Sequence, residues 1–134
     1  MHSRVTLSVA AGELDEDEFV FEEPVQCVIG RAYDCDIQIP MDDEHGFVSR
    51  HHCLLDIHPP IVHVRDLGSL NGTYVNGRVI GRRKPGVPVL DYVFRPSPDR
   101  RLSDGDEIKV GETVFRVGIV ENTDEFHFVG SAHA

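Results

Sequence analysis

No apolar run in this chain of 134 residues approaches the roughly 20 residues that a membrane-spanning helix needs. The opening stretch, MHSRVTLSVAAGELDEDE, turns acidic after a few apolar positions, which makes it too short for a span and poor as a signal peptide. A cytoplasmic location and no membrane partner are therefore expected. Cysteine is scarce: Cys27, Cys35 and Cys53 make 3, with no CxxC pair. That odd count argues against a disulfide framework and against a zinc knuckle. All three sit in or beside apolar runs, so buried free thiols are expected. Positive charge is also short. Lys and Arg number 13 against 23 Asp and Glu, for a formal charge of -10 and a pI near 5.1. A field of that sign repels nucleic acid and anionic membranes. An anion bound here must be held by a local cluster working against the global field. Finally, no segment carries a hydrophobic stripe at the helical period of about 3.6 residues.

What the chain does have is strand periodicity, in a composition (40% hydrophobic, 27% charged) suited to one globular domain. Val5, Leu7 and Val9 alternate with polar residues, as do Phe19 and Phe21. The runs VQCVIGR and DIQIP follow, split by a turn-like AYDC. HCLLDIH and IVHVRDL flank Pro59-Pro60, a hard break between two strands. TYVNGRVI carries Asn76-Gly77 between β-prone triplets, a strong hairpin signal. DEIKVGETVFRVGIVE is a second hairpin turning at Gly111-Glu112. Many short strands separated by turns predict an all-β fold, a sandwich or barrel. The tail 121–134 shows no clear pattern.

Charge is unevenly placed. Glu13, Asp15, Glu16, Asp17, Glu18, Glu22 and Glu23 crowd the early chain. Arg78, Arg82, Arg83, Lys84, Arg95, Arg100 and Arg101 crowd a Pro-rich stretch, RVIGRRKPGVPVLDYVFRPSPDRR. That stretch reads as a long irregular insertion, about 81–101, leaving the sheet near the Asn76-Gly77 hairpin. One reading folds it toward a ligand end to offset the global charge; the other leaves it a solvated loop.

The chemistry-bearing residues concentrate in HGFVSRHHCLLDIH, residues 45–58. Ser49 and His52 suggest a nucleophile and base, but no G-x-S-x-G elbow is present, and residues three apart on an extended segment face opposite ways. No enzyme activity is expected. His45, His51, His52, Cys53, His58 and His63 are potential metal ligands without a known ligand spacing, so neither a metal nor a cofactor is expected. An anion site fits better. Phosphate is held by guanidinium forks, hydroxyls and free backbone N–H groups. Arg31 follows a strand ending in Gly30, Ser49 and Arg50 precede another, and Asn71 occupies an Asn-Gly turn.

In that order, GR (30–31), SRHH (49–52), DLGSLNGTYVNG (66–77) and LSDGDEIKVG (102–111) resemble the forkhead-associated (FHA) domain family. The resemblance covers about residues 25–120, within a domain taken as 1–120. It implies a β-sandwich of about eleven strands that binds phosphothreonine peptides through loops at one end. By position, Arg31 and Ser49 would contact phosphate, Arg50 would add a donor, and Asn71 would hold the peptide main chain. His52 would brace the loops, with Gly30 and Gly72 structural, while His51 would lie exposed on the other face. The implied partner is a phosphothreonine-containing protein, a Ser/Thr kinase or its substrate. The alternative is an FHA-like scaffold that binds protein without phosphate. One departure stands out: the family often has a hydroxyl residue just before the matching Asn, where this chain has Leu70.

Overall fold

The computed structural model of the chain describes residues 2–12, 14–40, 47–89 and 99–122. It is a β-sandwich of eleven strands: β1 (Arg4–Ala11), β2 (Glu18–Phe21), β3 (Val25–Gly30), β4 (Ile37–Gln38), β5 (Cys53–His58), β6 (Ile61–Asp66), β7 (Thr73–Val75), β8 (Arg78–Gly81), β9 (Arg100–Arg101), β10 (Glu107–Val110) and β11 (Thr113–Val120). Six strands form one sheet in the order β2-β1-β11-β10-β7-β8, and five form the other in the order β4-β3-β5-β6-β9. Every pairing is antiparallel except β3 with β4.

The alternation expected from the sequence is the packing rule of the core. Val5 and Leu7 of β1, Phe115 and Val117 of β11, and Ile108 and Val110 of β10 turn inward from the larger sheet. Cys27 and Ile29 of β3, Leu55 and Ile57 of β5, and Val62 and Val64 of β6 meet them from the smaller one. Period-2 spacing gives each strand one apolar face, and only stacking the two sheets removes both faces from water. Cys27 and Cys53 are buried free thiols, as expected. Burial pushes the Cys27 thiol up to about 12. Cys35 departs from expectation, being only half-buried, because it lies in the β3–β4 turn and not in a strand.

Two turns close as the sequence indicated. Asn76 (φ 52) and Gly77 (φ 82) both adopt the left-handed conformation that a two-residue hairpin requires. The second hairpin turns at Gly111-Glu112. Asn76 also ties the hairpin to its neighbour: its side chain donates to Asp106 Oδ1 (2.9 Å) and accepts from the Glu107 N–H (2.9 Å).

The strand directions gather the loops that matter. Gly30 ends β3, Cys53 begins β5 and Asp66 ends β6, with Cys53 paired to both Ile29 and Asp66. The segments 31–36, 47–52 and 67–72 therefore emerge at one end of the sandwich. Gly81, paired with Thr73, delivers the start of the basic insertion to the same end. Residues 90–98 of that insertion, with Arg95, and residues 123–134 of the tail lie outside the described residues.

Replacing Asn76 with Ala removes two hydrogen bonds and places a Cβ residue at positive φ without Asn's local compensation. The expected loss is about 1–3 kcal/mol of unfolding free energy in urea. Ligand affinity should stay unchanged, because the hairpin tip is at the far end of the molecule; a loss below about 0.5 kcal/mol would show the bridge to be idle.

Candidate functional site

Between these loops lies a cleft of about 570 Å³, lined by Arg31, Phe47, Ser49, Arg50, His51, Asn71 and Arg83 among others. The sequence-designated Arg31, Ser49, Arg50 and Asn71 thus meet at one place, although they span forty residues of chain. Their backbones are locked before any ligand arrives. The Arg31 N–H donates to the Ser49 carbonyl (3.2 Å), and the Ala32 N–H to the Arg50 carbonyl (3.1 Å). The Cys35 thiol donates to that same Arg50 carbonyl (3.1 Å). Arg50 has its backbone pinned and its side chain exposed.

Gly30 makes this approach possible. A Cβ there would lie 2.1 Å from the Arg50 carbonyl oxygen and 3.0 Å from Cys35 Sγ. Any larger residue must push the 49–52 loop away from β3. The glycine serves close backbone approach, as the family pattern implied.

His52 is fully buried, at 0% exposure. Its Nδ1 accepts the Ser49 N–H (3.1 Å), so Nε2 carries the proton and donates to the Gly72 carbonyl (2.8 Å). Its own backbone joins Ile29 and Leu67 (both 2.9 Å). One imidazole thereby connects the Ser49 loop with the Asn71-Gly72 turn. Burial lowers its pKa from the ordinary value of 6.5, outweighing the opposing pull of the Gly72 carbonyl and of Asp66. The neutral ring is what this geometry needs, since a proton on Nδ1 would face the Ser49 N–H.

Ser49 Oγ accepts the Leu70 N–H (3.1 Å). Its hydroxyl proton is therefore still available to donate. Leu70, where the family often carries a hydroxyl, is 50% exposed and contributes its backbone to Ser49. The Asn71 amide donates to the Phe47 carbonyl (3.2 Å), bridging two cleft walls.

His51 was expected on the opposite face. It is exposed, but it stands at the cleft rim with Nε2 2.9 Å and 3.1 Å from the Asp34 carboxylate oxygens. Residues 49–52 precede β5 and are not extended strand, so alternation does not apply to them. Asp34, Cys35 and His51 bring potential metal-ligating atoms within 4.8 Å of one another. The Cys35 thiol is poorly set for that use: burial, and then the charges of Asp34 and Asp36, raise its pKa against the pull of the Ala32 backbone, and a metal needs the thiolate.

Asp66 and Ser69 were not singled out from sequence, and Arg83 was named only as one of the basic insertion residues. Asp66 is fully buried and accepts from the Gly68 N–H (2.9 Å), the Ser69 N–H (3.0 Å), the Ser69 hydroxyl and the Thr73 hydroxyl (2.7 Å). Ser69 Oγ in turn accepts the Gly72 N–H (3.0 Å). Arg83, in the basic insertion, donates its N–H to the Ser69 carbonyl (2.7 Å) and its Nε to the Gly68 carbonyl (3.0 Å). The DLGS spacing is an Asx-turn signal that could have marked Asp66; nothing local marks Arg83.

An FHA domain family model matches residues 27–111. The chain belongs to the FHA domain family. Its first and last motif positions, from the end of β3 to the β10–β11 turn, bracket the cleft just described. In human proliferation marker protein Ki-67, 36% identity extends over 74 residues, 52% of this chain but 2% of that protein. The chain therefore spans only a small part of that curated relative. A structure described as a structural and functional analysis of phosphothreonine-dependent FHA domain interactions superposes with a TM-score of 0.62 at 25% identity, covering 89% of this chain and 99% of the other. The FhaA FHA domain, solved in complex with the intracellular domain of Rv3910, gives a TM-score of 0.58 at 26% identity, covering 84% and 98%.

Two outcomes follow for this FHA domain. Gly30→Ala should displace the 49–52 loop and cost about 1–3 kcal/mol of stability, visible in a melting curve and as shifted Ser49 and Arg50 amide resonances. For His52 the sign is set by its lowered folded-state pKa. The unfolded chain binds the proton first as pH falls, so stability is full above about 6.5 and declines below it. His52→Gln should remove that decline, so the stability advantage of the wild type should shrink from pH 7.5 to 5.5. A constant gap across that range would refute a neutral buried role.

Proposed function

We propose that this FHA domain is a phosphothreonine-peptide-binding module, an adaptor that reads Ser/Thr kinase output without catalysis of its own. The observation that carries this reading is the meeting of Arg31, Ser49, Arg50 and Asn71 on one pre-bonded cleft. A phosphate dianion asks for a guanidinium, a hydroxyl proton and a main-chain anchor at hydrogen-bond range. Arg31 and Arg50 would supply charge, the Ser49 hydroxyl a proton, and Asn71, whose amide spans the cleft to the Phe47 carbonyl, the main-chain anchor. The related structures support it: one concerns phosphothreonine-dependent interactions and another holds a partner's intracellular domain. The partner expected for this chain is a phosphothreonine-containing protein, either a kinase or a kinase substrate.

Arg31→Ala should cost about 2–4 kcal/mol of phosphopeptide binding, roughly thirty- to a thousandfold. Ser49→Ala should cost about 1–2 kcal/mol. Both variants should fold, and calorimetry with one phosphothreonine peptide reads both losses. Wild-type affinity in Arg31→Ala would sink the site. Exchanging phosphothreonine for phosphoserine removes one methyl, worth about 0.8 kcal/mol if buried, so a severalfold preference is expected and equal affinities would contradict a methyl pocket.

A further inference from the structure

Given a phosphothreonine site in the cleft, the charge beside it sets what the partner must carry next to the phosphate. The outer edges of the sandwich collect charge of opposite sign. On one side β2 and β4 are both edge strands, and Asp15, Glu16 and Asp36 line one shared recess there. Glu18, Glu22 and Glu23 are exposed on the same edge. On the other side β8 and β9 are the edge strands, and β8 packs near β6, the neighbour of β9. Arg82, Lys84, Arg100 and Arg101 are all exposed along this flank. None of them forms an ion pair among the described residues, unlike Arg116, which meets Glu107 at 2.6 Å.

The basic flank is tied to the cleft. Arg83 anchors its segment to the Gly68 and Ser69 carbonyls and lines the cleft with Val89 of the same segment, so Arg82 and Lys84 are its immediate, exposed chain neighbours. Arg100 pairs with Val64, two residues short of the cleft end of β6, or roughly 7 Å. The acidic edge is far from this flank. Five inter-strand steps of about 4.8 Å separate β2 from β8, some 24 Å, against a Debye length near 8 Å at physiological salt. At the Arg83 wall of the cleft the near flank therefore sets the local field, while the Arg31 wall lies beside β4 and Asp34.

We propose that this flank binds carboxylates adjacent to the phosphothreonine, so that the domain selects phosphothreonine embedded in an acidic segment. This rests on the phosphothreonine reading of the cleft. A short acidic peptide fits the charge pattern better than RNA or a membrane, because a longer polyanion reaches the acidic edge opposite.

The test uses fluorescence anisotropy with labelled peptides: a phosphothreonine peptide with neutral flanks, versions with three Glu before or after the phosphothreonine, and their unphosphorylated counterparts. One Glu-flanked phosphopeptide should bind about tenfold tighter than the neutral one at about 0.05 M salt, with the advantage fading near 0.5 M. The triple variant Arg82→Ser, Lys84→Ser, Arg100→Ser should abolish that advantage and weaken the neutral phosphopeptide severalfold less than the Glu-flanked one. Equal affinities of all three phosphopeptides for the wild type at low salt overturn the flank while leaving the cleft reading intact. No binding by any phosphopeptide overturns the cleft reading and the flank with it. Unphosphorylated acidic peptide, or an RNA oligonucleotide, binding as tightly as the phosphorylated acidic peptide also overturns the proposal. If the triple variant melts early, the salt series on wild type decides alone.

Discussion

The site depends on one uncharged ring. His52 accepts from Ser49 on one side and donates to Gly72 on the other, and a single tautomer satisfies both. Because the ring is fully buried, each of those bonds is made in a medium where an unmatched partner costs about 1–3 kcal/mol. Losing the ring would leave an N–H and a carbonyl stranded under the loops that carry Ser49 and Asn71. The histidine braces the loops of the proposed anion site from beneath the cleft.

A second brace works in series with the first. Asp66 gathers the donors of the 68–73 turn, Ser69 passes the connection to Gly72, and Gly72 meets His52. Arg83 then fastens the insertion to the outside of the same turn. The two braces share Gly72, whose φ of +94 is a conformation that side-chain-bearing residues rarely take. Buried polar networks of this kind are costly when half made and rigid when complete. Rigidity here lets exposed loops hold side chains to a fixed spacing.

The sequence revealed the parts of this arrangement that follow from local rules. Alternation at Val5 and Leu7 or at Val62 and Val64 is a direct consequence of strand geometry, and Asn76-Gly77 carries its turn type in its residues. The four motifs placed Arg31, Ser49, Arg50 and Asn71 in one cleft because their order matched a known family. Other features were hidden because they are made at a distance. The partners of Arg83 are carbonyls 14 and 15 residues earlier in the chain, and a carbonyl leaves no mark on composition. His51 lies at the cleft rim because β5 begins only at Cys53, two residues on, so alternation does not reach it. Leu70 looked like a missing hydroxyl, yet its backbone N–H serves Ser49, and backbone chemistry cannot be read from a side chain.

Pre-bonding of the loops also bears on how so acidic a chain would hold the proposed anion. A flexible set of donors would have to be ordered by the ligand, and that ordering cost would come out of binding. Here the main chains of Ser49 and Arg50 are tied to Arg31 and Ala32, and the Asn71 side-chain amide is tied to the Phe47 carbonyl, before a ligand enters. Ordering is charged to folding, where the sandwich core supplies the driving force. The few groups at the cleft would then be left to interact with the proposed phosphate. The repulsion is smallest on the Arg83 side, since β2 and β8 are the opposite edges of the larger sheet, some 24 Å or about three screening lengths apart. Local stiffness and that separation together would let a small basic cluster hold an anion against the net charge.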